Sequence, residues 1–134
     1  MVEPVDVPTP VYIVGPFAGA HWYEVMANVD RAKRLARWLS RRGYAVVCVH
    51  PVIDEAADAD PVLRSQGLAQ SLDLVRMVAR AGGRLAIIER EDGTLSQGSA
   101  LEVDAWREVA DLRGRSWRAG WVEWDAMIRG VPRG

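Results

Sequence analysis

The sequence predicts an α/β domain built on a parallel β-sheet, and three observations lead there. Short apolar runs alternate with longer segments of helical period. The runs are apolar almost throughout, as strands covered on both faces are. The links between them are short, which favours right-handed crossovers between parallel strands. A chain of 134 residues makes one domain with a real core.

Each element follows in order. Residues 1–10 carry Pro4, Pro8 and Pro10 and read as an extended lead-in to a single domain over 11–134. Val11-Tyr12-Ile13-Val14 is the first strand, stopped by Gly15-Pro16, and a loop runs on to about Tyr23. Val25 to Arg42 is helical, with Val25, Val29, Ala32, Leu35, Ala36 and Leu39 on one stripe and mostly arginine elsewhere. Gly43 stops it. Ala45 to Val49 is the second strand, ended by His50-Pro51, and residues 51–62 form an acidic loop. A second helix spans Leu63 to Ala81, ended by Gly82-Gly83. Leu85 to Ile88 is the third strand, Glu91-Asp92-Gly93-Thr94 turns, and a third helix begins near Ser99. In the tryptophan-rich segment 114–134, Trp117, Trp121, Trp124 and Ile128 have helical spacing. It reads as helix or irregular chain, with a strand over Trp121–Trp124 as the alternative, and its tryptophans pack on the core or across a subunit interface.

Composition excludes several classes. Apolar residues make up 49% and charged residues 26%, which argues against disorder. Seventeen Lys and Arg against 18 Asp and Glu give a net charge of −1, so polymeric nucleic acid is not expected as a bulk-charge partner. No apolar run reaches the roughly 18–20 residues of a membrane helix. The acidic, proline-rich start is unlike a signal peptide. One cysteine cannot close an internal disulfide, and two histidines with one cysteine make a poor zinc set. The expectation is a cytoplasmic protein with no metal and no cofactor.

Ligands of parallel sheets bind outside the carboxyl ends of the strands. Three segments leave those ends: Gly15–Tyr23, His50–Asp60 and Glu89–Ser99. Ser99-x-x-Glu102 has the form of a capping box, which is its structural reading. Its functional reading uses the same geometry. A carboxylate in a first helical turn is favoured in its ionised form and can attack an anomeric carbon. Tyr12 is either a core tyrosine or a phenol that orients such a carboxylate. Asp73 is either a solvated helix residue or, at the core margin, a proton donor with a raised pKa. Gly15-Pro16-Phe17-Ala18-Gly19-Ala20-His21 is neither a phosphate-binding P-loop nor a dinucleotide fingerprint, though its glycines allow close backbone approach to a ligand. His21 and Asn28 read as surface residues, with ligand contact the minority role.

The order of these signals is more specific than any one of them. A strand Val-Tyr-Ile-Val-Gly-Pro-Phe precedes a helix containing Asn28, then Gly-Tyr and a strand ending in proline. A helix containing Asp73-Leu74 follows, and Ser96-x-Gly98-x-x-x-Glu102 opens the next. Over residues 11–112 this resembles the nucleoside 2-deoxyribosyltransferase superfamily. It is also similar to the related nucleoside 5'-monophosphate N-glycosidases and their small phage and bacterial homologues. The resemblance implies a flavodoxin-like parallel sheet of four or five strands flanked by helices, and an N-glycosidic bond as target. It implies Glu102 as nucleophile, Tyr12 as its orienting phenol and Asp73 as the acid that assists the leaving base. It places Gly15, Pro16, Phe17, Gly19, His21, Asn28, Ser96 and Gly98 around a nucleoside or nucleotide. A serine six residues before the nucleophile, here Ser96, leans toward the monophosphate hydrolases. The resemblance further implies a homodimer or higher homo-oligomer. Two departures stand out: Ala81-Gly82-Gly83-Arg84 replaces an aspartate-containing entry to the third strand, and the Glu89–Leu95 link is long. No fifth strand is evident in 113–134. The rival expectations are a non-catalytic nucleotide-binding module on the same fold, and an interaction protein using its tryptophan-rich tail.

Overall fold

The computed structural model describes residues 2–16, 21–48 and 61–130, and within them every side chain except those of residues 61–67. The elements are β1 (Pro10–Val14), α1 (Trp22–Arg41), β2 (Ala45–Val47), α2 (Pro61–Arg80), β3 (Arg84–Glu89), α3 (Gln97–Arg107), β4 (Ser116–Gly120) and α4 (Trp121–Ile128). The four strands form one parallel sheet in the order β2-β1-β3-β4. Helices cover both faces, so the fold is the expected flavodoxin-like α/β architecture.

The strands are apolar throughout because both faces are covered. Val11 and Ile13 of β1, with Ala86 and Ile88 of β3, face a core built with Leu35 and Leu39 of α1 and Trp124 of α4. Tyr12 and Val14, with Leu85 and Ile87, face a second core built with Val75, Val78 and Ala79 of α2 and Val103 and Trp106 of α3. Side-chain alternation along a strand divides the two sets. Chain direction across the sheet reverses between β1 and β3, which makes their carboxyl ends the topological switch point.

Two glycines are required by close approach. A Cβ on Gly83 would stand 2.5 Å from the Pro10 carbonyl oxygen and 2.6 Å from Val78 Cγ1, so α2 can enter β3 only through a glycine there. Gly43 has φ +96°, and a Cβ would strike the Val5 carbonyl oxygen. The lead-in is held down at this corner: Val5 N–H donates to Arg42 O at 3.0 Å, Tyr44 Oη donates to Glu3 O at 2.7 Å, and Val2 is buried.

Several expected boundaries move. Helix α1 starts at Trp22, a turn before Val25, because the His21 carbonyl already accepts from Glu24 N and Val25 N. Its first aromatic residues, Trp22 and Tyr23, are exposed and so carry no burial signal. Helix α2 starts at Pro61, a favoured first helical residue. Strand β2 ends at Val47. The last part of the expected second strand and the acidic stretch up to residue 60 lie outside the described residues.

The tail is corrected most. Residues 116–120 form β4, the fourth strand, and α4 follows with no loop between. Trp117 therefore belongs to a strand, and its helical spacing to Trp121 and Trp124 is coincidental. Trp117 and Trp124 are buried in the core, and Trp124 Nε1 donates to Ile87 O at 3.0 Å. The Trp121–Trp124 segment is helix, not strand.

Candidate functional site

The site grows from a cap. Ser96 has extended backbone angles, and its Oγ accepts the Ser99 N–H at 3.2 Å, which makes Ser96 the N-cap of α3. The expected Ser99–Glu102 capping box is not formed. Two serines three residues apart compete for the cap, and the earlier one takes it. Glu102 consequently lies in the second turn, where the favourable helix-end potential has faded.

Glu102 is 4% exposed and points into the face that β1 shares with α2 and α3. Burial pushes its carboxyl up to about 7 from the ordinary 4.5, offset in part by the Tyr12 hydroxyl, which favours the ionised form. This reverses the expectation of a carboxylate eased toward ionisation by the helix end. Tyr12 is completely buried in β1. Its phenol is pushed well above its usual range, first by burial and then by the neighbouring Glu102 charge. Ser71 of α2, also buried, faces the same phenol and eases its ionisation, while its own Oγ donates to Leu68 O at 2.9 Å. The Tyr12–Glu102 contact is close enough for each to perturb the other but is not a formed hydrogen bond. Neither Tyr12 Oη nor Glu102 Oε2 has a hydrogen-bond partner among the described residues. A buried polar group left so costs roughly 1–3 kcal/mol.

Asp73 does not join them. Its side chain is 75% exposed and pairs with Arg76 at 3.2 Å, and Arg76 also holds Glu108 at 3.0 Å. Leu72 and Leu74 are only half-buried, so α2 turns Asp73 to solvent rather than to the core margin. No desolvated proton donor stands at that position.

A cleft of about 1000 Å³ opens at the switch point, on the α1/α4 side of the sheet. Gly15 and Pro16 after β1 line it with Asn28 and Arg31 of α1, the Glu89–Gly93 link after β3, and Gly120–Glu123. Asn28 is half-buried there, more engaged than a plain surface residue. The long Glu89–Leu95 link is a compact turn: Arg90 N donates to Thr94 O, and the Asp92 carboxylate, held below its ordinary range by Thr94, accepts the Thr94 N–H and hydroxyl. Arg118 of β4 clamps it by pairing with Glu89 at 2.7 Å and donating to Gly93 O. Trp121 lies in the cleft wall under Arg31 and Arg34. Neither Glu102 nor Tyr12 is among the cleft's lining residues, so cleft and carboxylate lie on different faces of the sheet.

His21 is exposed at the start of α1 and stacks on Tyr23 with ring centroids 5.1 Å apart. Ser96 is committed to its cap and to Ser99 Oγ at 2.7 Å. Gly98, in the first turn of α3, has open space around it. Phe17 and Gly19 lie outside the described residues. Sequence reasoning missed Ser71 and the buried role of Ser99. The available signal for Ser71 was its helical spacing to Val75 and Val78, a polar residue inside an apolar stripe. It also missed Gly120–Glu123, because the strand before α4 was not recognised, and Arg31, because the arginine-rich face of α1 reads as solvated. Among the described residues no group of His, Cys, Asp and Glu is arranged to hold a metal, and no helix is long and apolar enough to cross a membrane. No protein-family model, curated protein or solved structure matches this chain.

Proposed function

We propose that the protein breaks an N-glycosidic bond of a nucleoside, deoxynucleoside or nucleoside 5'-monophosphate, with Glu102 as nucleophile. One observation carries this: a carboxylate and a phenol from different elements are buried side by side, with Glu102 Oε2 and Tyr12 Oη lacking hydrogen-bond partners among the described residues. A fold that served stability alone would satisfy or expel them, and perturbed buried carboxyls concentrate at reactive sites. Glu102 attacks C1', the bond from C1' to the base breaks, and the departing base takes a proton from water. The positive charge developing on the sugar favours ionised Glu102, which gives its proton to water as it attacks and so replaces the proton the base takes. Tyr12 orients the carboxylate. Water then attacks C1', releasing the free sugar and restoring Glu102; a second base in place of water gives transfer. Asp73, exposed and paired with Arg76, is left out of the step.

Substrates of this kind are metabolites of the cell interior, so the activity is placed in the cytoplasm. The exposed Trp22, Tyr23 and Met26 at the start of α1 offer the apolar surface on which a second copy would assemble.

The test is release of free base from a panel of nucleosides, deoxynucleosides and their monophosphates, followed by chromatography. Release that vanishes in Glu102→Ala supports the reading, and a second base added as acceptor separates transfer from hydrolysis. The position of the cleft away from Glu102 favours one rival, a nucleotide-binding module without turnover. Tight nucleotide binding that survives Glu102→Ala, with no base released by either protein, would establish that rival instead.

A further inference from the structure

Ser99 is 1% exposed and is the third residue of α3, one turn before Glu102 on the same buried face. Its backbone N–H goes to Ser96 Oγ, and the Ser96 hydroxyl donates to Ser99 Oγ at 2.7 Å. A serine hydroxyl donates one bond and accepts two. With Ser96 as donor in that contact, the Ser99 proton is still to be placed. One turn along, Glu102 Oε2 is a buried acceptor with no partner among the described residues. Side chains three residues apart on a helix stand roughly 5–6 Å apart at Cβ. Helical side chains also lean toward the N-terminus, which carries Glu102 back over Ser99. A donor with a proton to spare and an acceptor without one thus share one face of one helix.

We propose that Ser99 is a positioning residue for Glu102: rotation about its Cα–Cβ bond brings its hydroxyl proton onto the Glu102 carboxylate and fixes that carboxylate, ionised, in a single orientation. Its catalytic consequence rests on the N-glycosidic reading above; the contact itself does not. The cap does not need the Ser99 side chain, since it uses Ser96 Oγ and the Ser99 backbone N–H. Side chain and helix start can therefore be tested apart.

Few other groups bear on Glu102. From β1 it meets Tyr12, and Ser71 of α2 acts on the same phenol. Among the described side chains, the other paired charges of these helices face outward: Asp73 and Arg76 on α2 pair with each other, Asp104 and Arg107 on α3 pair at 3.8 Å, and Glu108 joins Arg76. Among the described residues, burial raises the Glu102 carboxyl and the Tyr12 hydroxyl lowers it.

The experiment follows the Glu102 carboxyl by ¹³C NMR across pH in the full chain, its signal assigned by its loss in Glu102→Gln. In Ser99→Ala the midpoint should rise by about one pH unit, the scale of a lost hydrogen bond to a charged group. Ser99→Thr keeps the hydroxyl and should return the midpoint to that of the natural chain. If Ser99→Ala does not fold, Ser99→Cys, close in size and a weaker donor, should move the midpoint the same way. A midpoint unchanged in the folded Ala or Cys variant overturns the proposal. The acid limb of kcat/KM for base release should move in the same order through the series. Should the natural chain release no base from any substrate, the N-glycosidic reading falls, while the carboxyl titration still decides the role of Ser99.

Discussion

Replacing Glu102 with glutamine should remove a specific pH dependence from folding stability. The folded chain holds the Glu102 proton to about 7, whereas the ordinary carboxyl lets go at 4.5. The folded state therefore binds the proton more tightly than the unfolded state. Its contribution is fully present below 4.5, is lost as pH rises through about 7, and is flat beyond. The gap between the two values corresponds to about 3 kcal/mol. Tyr12 does not enter this window, because its ionisation lies far above it. Glutamine keeps the shape and the burial but cannot ionise, so its own burial cost is the same at every pH. Urea denaturation of both proteins at pH 4 and pH 8.5 reads the difference, and all other titrating groups cancel between them. The natural chain should lose about 3 kcal/mol more than Glu102→Gln across that interval. Equal losses would mean that Glu102 is solvated or already paired. The buried Tyr12–Glu102 contact, and the function built on it, would then be wrong.

Tyr12→Phe removes a hydroxyl that has no hydrogen-bond partner among the described residues, so stability by urea denaturation should stay within about 1 kcal/mol of the natural chain. The same change should raise the Glu102 midpoint above about 7, since Tyr12 favours the ionised form, and slow base release about 10²-fold through lost alignment. Asp73→Asn breaks only an exposed pair with Arg76; stability should change by less than about 0.5 kcal/mol and base release should stay at the natural rate, as read by denaturation and product chromatography.

The fold was legible where burial is two-sided. β1 and β3 are nearly continuous apolar runs because helices cover both faces, and α1 shows its stripe because only one face is buried. The tail was not legible. In β4 only Trp117 and Ala119 are buried, and a five-residue strand joined directly to a helix leaves too few residues to show a period of two. At the site, Tyr12 and Glu102 were both singled out, and Asp73 was placed with them on motif order and on a reading of its position as the core margin. Its neighbours Leu72 and Leu74 are half-buried, so the helix turned it to solvent. Ser96 and Ser99 could each cap α3, and local sequence does not choose between them.

The sequence by itself determined the element order from β1 to α3, the parallel sheet and its burial on both faces, because hydrophobic period and short links leave few other solutions. It also marked the residues whose chemistry could matter. Only the tertiary structure decided which of them meet. Tyr12 and Glu102 are 90 residues apart in the chain, and Asp73 lies between them. Their separation in space depends on where α2 and α3 settle on β1, and that is fixed by side-chain packing across the sheet face rather than by any local preference. The same packing raised the Glu102 pKa, because burial is a property of the assembled core and not of the residue.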